Sequence, residues 1–140
     1  MKDTVPISCV EDTKVAARSV LVVDDSPIFR HAVCDLFSRE EGFEVCAEAD
    51  NGLDAIDKAK HYQPDLIVTG LFMPQMNGLE ETRLLRKLMP KVPVIVHSIH
   101  IDAEIEREAM AAGASVFISK FDTARNLIPT ARDLLEDSAE

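Results

Sequence analysis

An α/β fold with a five-stranded parallel sheet, doubly wound by helices on both faces, is what this sequence predicts, and three observations predict it. From Ser19 onward, short apolar runs alternate five times with amphipathic stretches. The first run, Val20-Leu21-Val22-Val23, is apolar throughout, as a strand covered on both faces reads. Asp24, Asp25, Gly70, Ser98 and Lys120 all fall at the C-terminal ends of predicted strands. Right-handed crossovers bring such ends together along one sheet edge, where ligand chemistry belongs in this class of fold.

Each element has its own signal. The first strand is predicted over Ser19–Val23, and Ser26 followed by Pro27 announces a helix, as N-cap and first helical position. Ile28, Phe29, Ala32, Val33, Leu36 and Phe37 recur three and four apart and are expected to be its buried face. A second strand near Phe43–Ala49 precedes a helix over about Gly52–Tyr62, expected to bury Leu53, Ile56 and Ala59. The third strand spans Asp65 to about Gly70. After the loop Met73–Gly78, a helix near Leu79–Met89 presents Leu79, Thr82, Leu85 and Leu88. Pro90 and Pro93 set off a fourth strand, Val92–Ser98. A helix over about Asp102–Ala112 buries Ile105, Ala109 and Ala112 and stops at Gly113, before a fifth strand at Ser115–Ser119. Ala124, Leu127, Ile128, Ala131, Leu134 and Leu135 keep the helical period to the end. Pro129 lies among them, so the last helix either begins near Asn126 or is kinked.

With 140 residues, 46% of them hydrophobic, the chain has the size of one domain with one substantial core, and no attached output domain is expected. Residues 1–17 carry no hydrophobic period and read as a flexible leader, 18–136 as the domain, and 137–140 as a tail. A formal net charge of −10 argues against nucleic acid and anionic membranes as partners and favours a protein. No apolar run approaches the roughly 20 residues of a spanning helix and no signal peptide is evident, so a cytoplasmic location is expected. Cys9, Cys34 and Cys46 have no metal-type spacing and read as reduced, non-catalytic thiols.

The run Pro64-Asp65-Leu66-Ile67-Val68-Thr69-Gly70-Leu71-Phe72-Met73-Pro74, continuing through Gln75-Met76-Asn77-Gly78-Leu79-Glu80, follows Val20-Leu21-Val22-Val23-Asp24-Asp25-Ser26 in the chain. Together the two resemble the receiver domain of bacterial two-component response regulators. The resemblance implies the flavodoxin-like receiver fold with strand order 2-1-3-4-5. It also implies roles: Asp24, Asp25 and the backbone carbonyl of Phe72 as Mg2+ ligands, Lys120 as the contact to phosphoryl oxygens, and Ser98 and Phe117 as the positions that sense phosphorylation. Two adjacent carboxylates repel and call for a hard cation or an ammonium between them.

The departures matter more. Where receivers carry the phosphoacceptor aspartate at the end of the third strand, this chain has Gly70, which removes the nucleophile and one anionic metal ligand. Mg2+ binding is therefore expected to be possible but weakened, and Lys120 to neutralise the acidic pair directly. Ile99 stands where receivers commonly have a small residue and is expected to narrow the approach. Phe121 replaces a proline that follows the lysine, so a trans Lys120–Phe121 bond is expected. Phe72 is expected to fill the vacated space. His97 and His100 flank Ser98 without a third metal ligand, and strand alternation should turn His97 away from Ser98.

These features imply a non-enzymatic receiver of a two-component phosphorelay that acts by phosphorylation-independent contact. The resemblance suggests a histidine kinase, a phosphotransfer protein, another response regulator or a second copy of the chain as partner. A homodimer would use the face bearing Glu104, Glu106, Arg107, Glu108, Arg125 and Arg132. Two alternatives stand beside this reading: a phosphoacceptor still active through Asp24, Asp25 or Ser98, and a small-ligand module using the vacated crevice.

Overall fold

Residues 17–73, 75–100 and 102–138 are described by the computed structural model, with side chains in the last helix through residue 136. The expected leader, but for Ala17, and Cys9 with it lie outside the described residues. In chain order the elements are β1 (Arg18–Val23), α1 (Pro27–Ser38), β2 (Phe43–Ala49), α2 (Gly52–Tyr62), β3 (Leu66–Gly70) and α3 (Gly78–Leu88). They continue with β4 (Val94–Ser98), α4 (Ala103–Ala112), β5 (Val116–Ser119), a 3-10 turn (Lys120–Asp122) and α5 (Thr123–Ser138). All strand pairs are parallel and the order is 2-1-3-4-5. The expected fold is the one observed.

Alternation along each strand sorts the core into two layers. Val20, Val22, Leu66, Val68 and Ile95 face α1 and α5, where Val33, Phe37, Leu127, Ala131 and Leu135 meet them. Leu21, Val23, Ile67, Val94 and Val96 face α2, α3 and α4, where Ala55, Ile56, Ala59, Leu85 and Ala109 meet them. Phe37 anchors the first layer: it is fully buried and its ring meets Phe43 edge-on at 5.1 Å. Phe37→Ala should cost about 3–5 kcal/mol, read as a lower urea midpoint with an unchanged slope.

Several helix faces sit differently from expectation. Ile28 (79% exposed), Ala32, Leu53, Leu88 and Ala124 are exposed rather than buried. In α1 the buried stripe is narrower, Val33 and Phe37 with Leu36 and Phe29 half-covered, because the first turn overhangs the sheet edge. In α2, Gly52, Ala55, Ile56 and Ala59 form the stripe. Small residues there let the helix approach the sheet, which leaves Leu53 outside. In α3, Glu81 and Thr82 are buried while Leu88 is not. The last helix begins at Thr123, three residues before Asn126, and runs through Pro129 to Ser138, beyond the expected domain end at residue 136. Pro129 removes one i→i−4 donor inside it.

Candidate functional site

The C-terminal edge of the sheet gathers the expected residues. Asp24 continues the parity of Val20 and Val22 and turns toward the α1/α5 layer, and Gly70 continues that of Leu66 and Val68. His97 continues that of Ile95, and it is the register partner of Gly70 across the β3–β4 ladder. Ser98 shares the parity of Val94 and Val96 and so belongs to the opposite layer. Alternation thus turns His97 away from Ser98 as expected, and His97 is a core histidine, 1% exposed. The face it turns to, however, is the one that holds Asp24.

Asp24 is fully buried and carries three contacts. Its Oδ1 accepts the Ser26 amide N–H at 2.9 Å. Its Oδ2 lies 2.7 Å from Lys120 Nζ, an ion pair, and 3.2 Å from His97 Nε2, a contact that becomes an ion pair only when the imidazole is protonated. Burial alone would raise the Asp24 carboxyl, but His97, Lys120 and the Ser26 amide overrule it and hold it at about 2. Burial likewise pushes the His97 imidazole below its usual range, with Asp24 pulling the other way and Lys120 reinforcing the depression. Lys120 also lies over the Phe29 ring, 4.3 Å from its centre, and Arg30 donates to the Asp24 carbonyl at 2.7 Å, so α1 braces both partners.

The remaining expected positions divide. Asp25 is exposed, so Lys120 neutralises Asp24 rather than the pair. Ser98 is 3% exposed and its Oγ accepts the His100 amide N–H at 3.0 Å, closing the turn after β4. Phe117 is half-buried against the α2–α4 layer. The Lys120–Phe121 bond is trans, and the Phe121 amide donates to Ser119 Oγ at 3.1 Å. Phe72 does not fill the space beside Gly70: it is 56% exposed, its ring set perpendicular to that of His100 at 5.1 Å. With Ile99, half-exposed, it lines a crevice of about 200 Å3 that also touches Asp25, Ser98, His97 and Lys120. That volume is below the 300–1,000 Å3 typical of small-molecule pockets.

The loop from β3 to α3 is tightly seated. The Gly78 amide donates to the Leu71 carbonyl at 2.7 Å, and a Cβ on Gly78 would meet the Gly70 carbonyl at 2.2 Å, so only glycine fits. Met76, with φ of 80°, holds a left-handed conformation that a non-glycine residue adopts at a cost of roughly 1–3 kcal/mol.

Sequence reasoning missed Glu81. It sits in the first turn of α3, fully buried, and Thr69 Oγ1 donates to its Oε1 at 2.7 Å, with the Gly70 carbonyl 3.1 Å away as the alternative acceptor. Burial pushes the Glu81 carboxyl up to about 8, only partly offset by the Thr69 hydrogen bond. The signal was available: Glu81 precedes Leu85 by four residues and Met89 by eight, on the buried stripe.

As a divalent-cation site the donor set is poor. Both Asp24 oxygens are committed, Lys120 already supplies the positive charge, and Asp25 with the Phe72 carbonyl falls short of the oxygen shell Mg2+ requires. Among the described residues no group of three His, Cys, Asp or Glu side chains converges to hold a metal. Cys34 is raised to about 11 by burial and by Glu48, and burial raises Cys46 as well, which leaves both as protonated thiols.

A doubly wound domain that gathers an acidic residue, a lysine and a hydroxyl at one strand edge has the arrangement that the resemblance to receiver domains implies. The chain belongs to the response regulator receiver domain family, whose profile matches residues 20–132. The chemotaxis protein CheY of Thermotoga maritima is 36% identical over 103 residues, covering 74% of this chain and 85% of CheY. The transcriptional regulatory protein DegU of Brevibacillus brevis is 33% identical over 120 residues, covering 86% of this chain and 51% of DegU. This chain thus spans about half the length of DegU. Among solved structures, the receiver domain of the response regulator NarL from Mycobacterium tuberculosis superposes with a TM-score of 0.83 at 28% identity, covering 87% of this chain and 98% of that one. CheY in the CheX–CheY complex of Borrelia burgdorferi gives 0.73 at 25% identity, covering 86% and 92%. Among the described residues no helix is long and apolar enough to cross a membrane.

Proposed function

We propose that this receiver works as a pseudo-receiver: it signals through protein contact that does not depend on phosphorylation. One observation carries the reading. At the tip of β3 stands Gly70, with no side chain to take a phosphoryl group, and the lysine that would meet the phosphoryl oxygens is instead paired to Asp24 at 2.7 Å. The ammonium takes up the charge that a cation would otherwise neutralise, so the crevice is electrostatically complete without metal or phosphate.

Its partner is a histidine kinase, a phosphotransfer protein, another response regulator or a second copy of the chain. For self-association the exposed Glu104, Glu106, Arg107, Glu108 and Arg125 remain free to act across an interface. Arg132 is already spent within the chain, donating to Glu40 Oε1 at 2.8 Å and lying over the Phe43 ring. Incubation with acetyl phosphate and Mg2+, followed by intact-mass measurement, should return the unmodified mass. A stoichiometric gain of one phosphoryl group, traced to Asp24, Asp25 or Ser98, would overturn the reading.

A further inference from the structure

The carboxylate of Asp24 lies directly over Gly70. A Cβ built on Gly70 would sit 3.3 Å from Asp24 Oδ2, tighter than an ordinary contact, and 3.4 Å from its Cγ, so a side chain there requires the carboxylate to shift by a few tenths of an ångström. Its position is held from three directions, the first being the Ser26 amide on Oδ1 at 2.9 Å. Lys120 approaches Oδ2 from the turn after β5, and His97 approaches the same oxygen from β4, one strand over from Gly70 and in register with it. His97 is itself immobilised, 1% exposed in a strand whose neighbours Ile95 and Val96 are fully buried, so it cannot swing out to let Asp24 move.

We propose that His97 is a positioning residue that clamps Asp24 over Gly70, so that Gly70 and His97 together, rather than Gly70 alone, close this crevice to a phosphoacceptor. The inference rests on the pseudo-receiver reading and deepens it. An aspartate placed at position 70 meets a carboxylate pinned within a few ångströms, and two buried carboxylates at that distance repel each other. An aliphatic residue at 97 continues the parity of Ile95 and releases one of the three holds on Asp24. Asp24 can then shift by the few tenths of an ångström that a side chain at 70 needs, while staying near enough to share a cation with the introduced carboxylate.

The test compares four proteins: wild type, Gly70→Asp, His97→Val and the double variant, each incubated with acetyl phosphate and Mg2+ and followed by intact mass. In the reaction scored, a carboxylate oxygen at position 70 attacks phosphorus, the phosphorus–oxygen bond to acetate breaks, and acetate leaves with the electron pair. The double variant should gain one phosphoryl group at least ~10-fold faster than Gly70→Asp, with wild type and His97→Val unmodified. Equal rates for Gly70→Asp and the double variant, or a folded double variant no more reactive than the single one, overturn the clamp and leave the pseudo-receiver reading standing. Phosphorylation of wild type overturns that reading instead. Should an aspartate variant fail to fold, Gly70→Ala serves: its loss of stability in urea should shrink when His97→Val is also present, and an equal loss in both backgrounds overturns the clamp.

Discussion

Lys120→Met should destabilise the protein by about 3–5 kcal/mol at pH 7, the cost of leaving a buried carboxylate with its main partner removed. Asp24 is fully buried and Lys120 lies 2.7 Å from it, so removing the ammonium leaves the carboxylate without its closest counter-charge. The charge itself is the cause, so adding Asp24→Asn should recover much of the loss, because the neutral amide no longer needs a counter-ion. The pH dependence has a definite sign. Asp24 is lowered from 3.8 to about 2, so its contribution is fully present above 3.8 and is lost as pH falls toward 2. In Lys120→Met that acid-side loss should shrink, since less depression remains to be lost. Urea unfolding from pH 2 to 7 measures both effects.

Glu81→Gln should act in the opposite direction and make the protein more stable at alkaline pH. Glu81 is raised from 4.5 to about 8, so its neutral form is the one the fold accommodates. Stability is fully present below 4.5, falls as pH rises while the unfolded chain ionises and the folded one does not, and levels off once the folded group ionises above about 8. The full loss is on the order of 3–5 kcal/mol at about 1.4 kcal/mol per pH unit. Glutamine keeps an oxygen to accept the Thr69 hydroxyl at the position of Oε1 and does not ionise. The variant should therefore lack the decline that Glu81 imposes on wild type between pH 4.5 and about 8, and exceed wild type by a few kcal/mol at pH 9. The start of α3 favours a negative charge through the helix dipole, an effect of at most ~2 kcal/mol that does not reverse the sign.

Much of this architecture is readable from residues alone. Ser26 and Pro27 mark the start of α1, and the Ser26 hydroxyl accepts the Phe29 amide as a cap should. The strand tips carrying Asp24, Gly70, Ser98 and Lys120 converge because parallel right-handed crossovers leave them nowhere else to go. What could not be read is register and depth. That His97 sits beside Gly70 depends on how β3 and β4 align, which no local pattern states. The helical period marks a stripe in α1 and α2 but not how far each helix overhangs the sheet, so Ile28 and Leu53 emerge exposed. Glu81 lies on the stripe that Leu85 and Met89 mark, yet an acidic residue in a helix's first turn ordinarily faces water; the Thr69 hydroxyl that partners it comes from the strand beneath, which helical periodicity does not report.

The most direct test of a crevice completed by its own side chains is an amide NMR titration of the full chain with Mg2+ and then with beryllium fluoride, an acyl-phosphate mimic. The amides of Asp24, Gly70, Ser98, Phe117 and Lys120 should stay in place through both additions. Saturable shifts at these amides, spreading from Ser98 to Phe117, would contradict it.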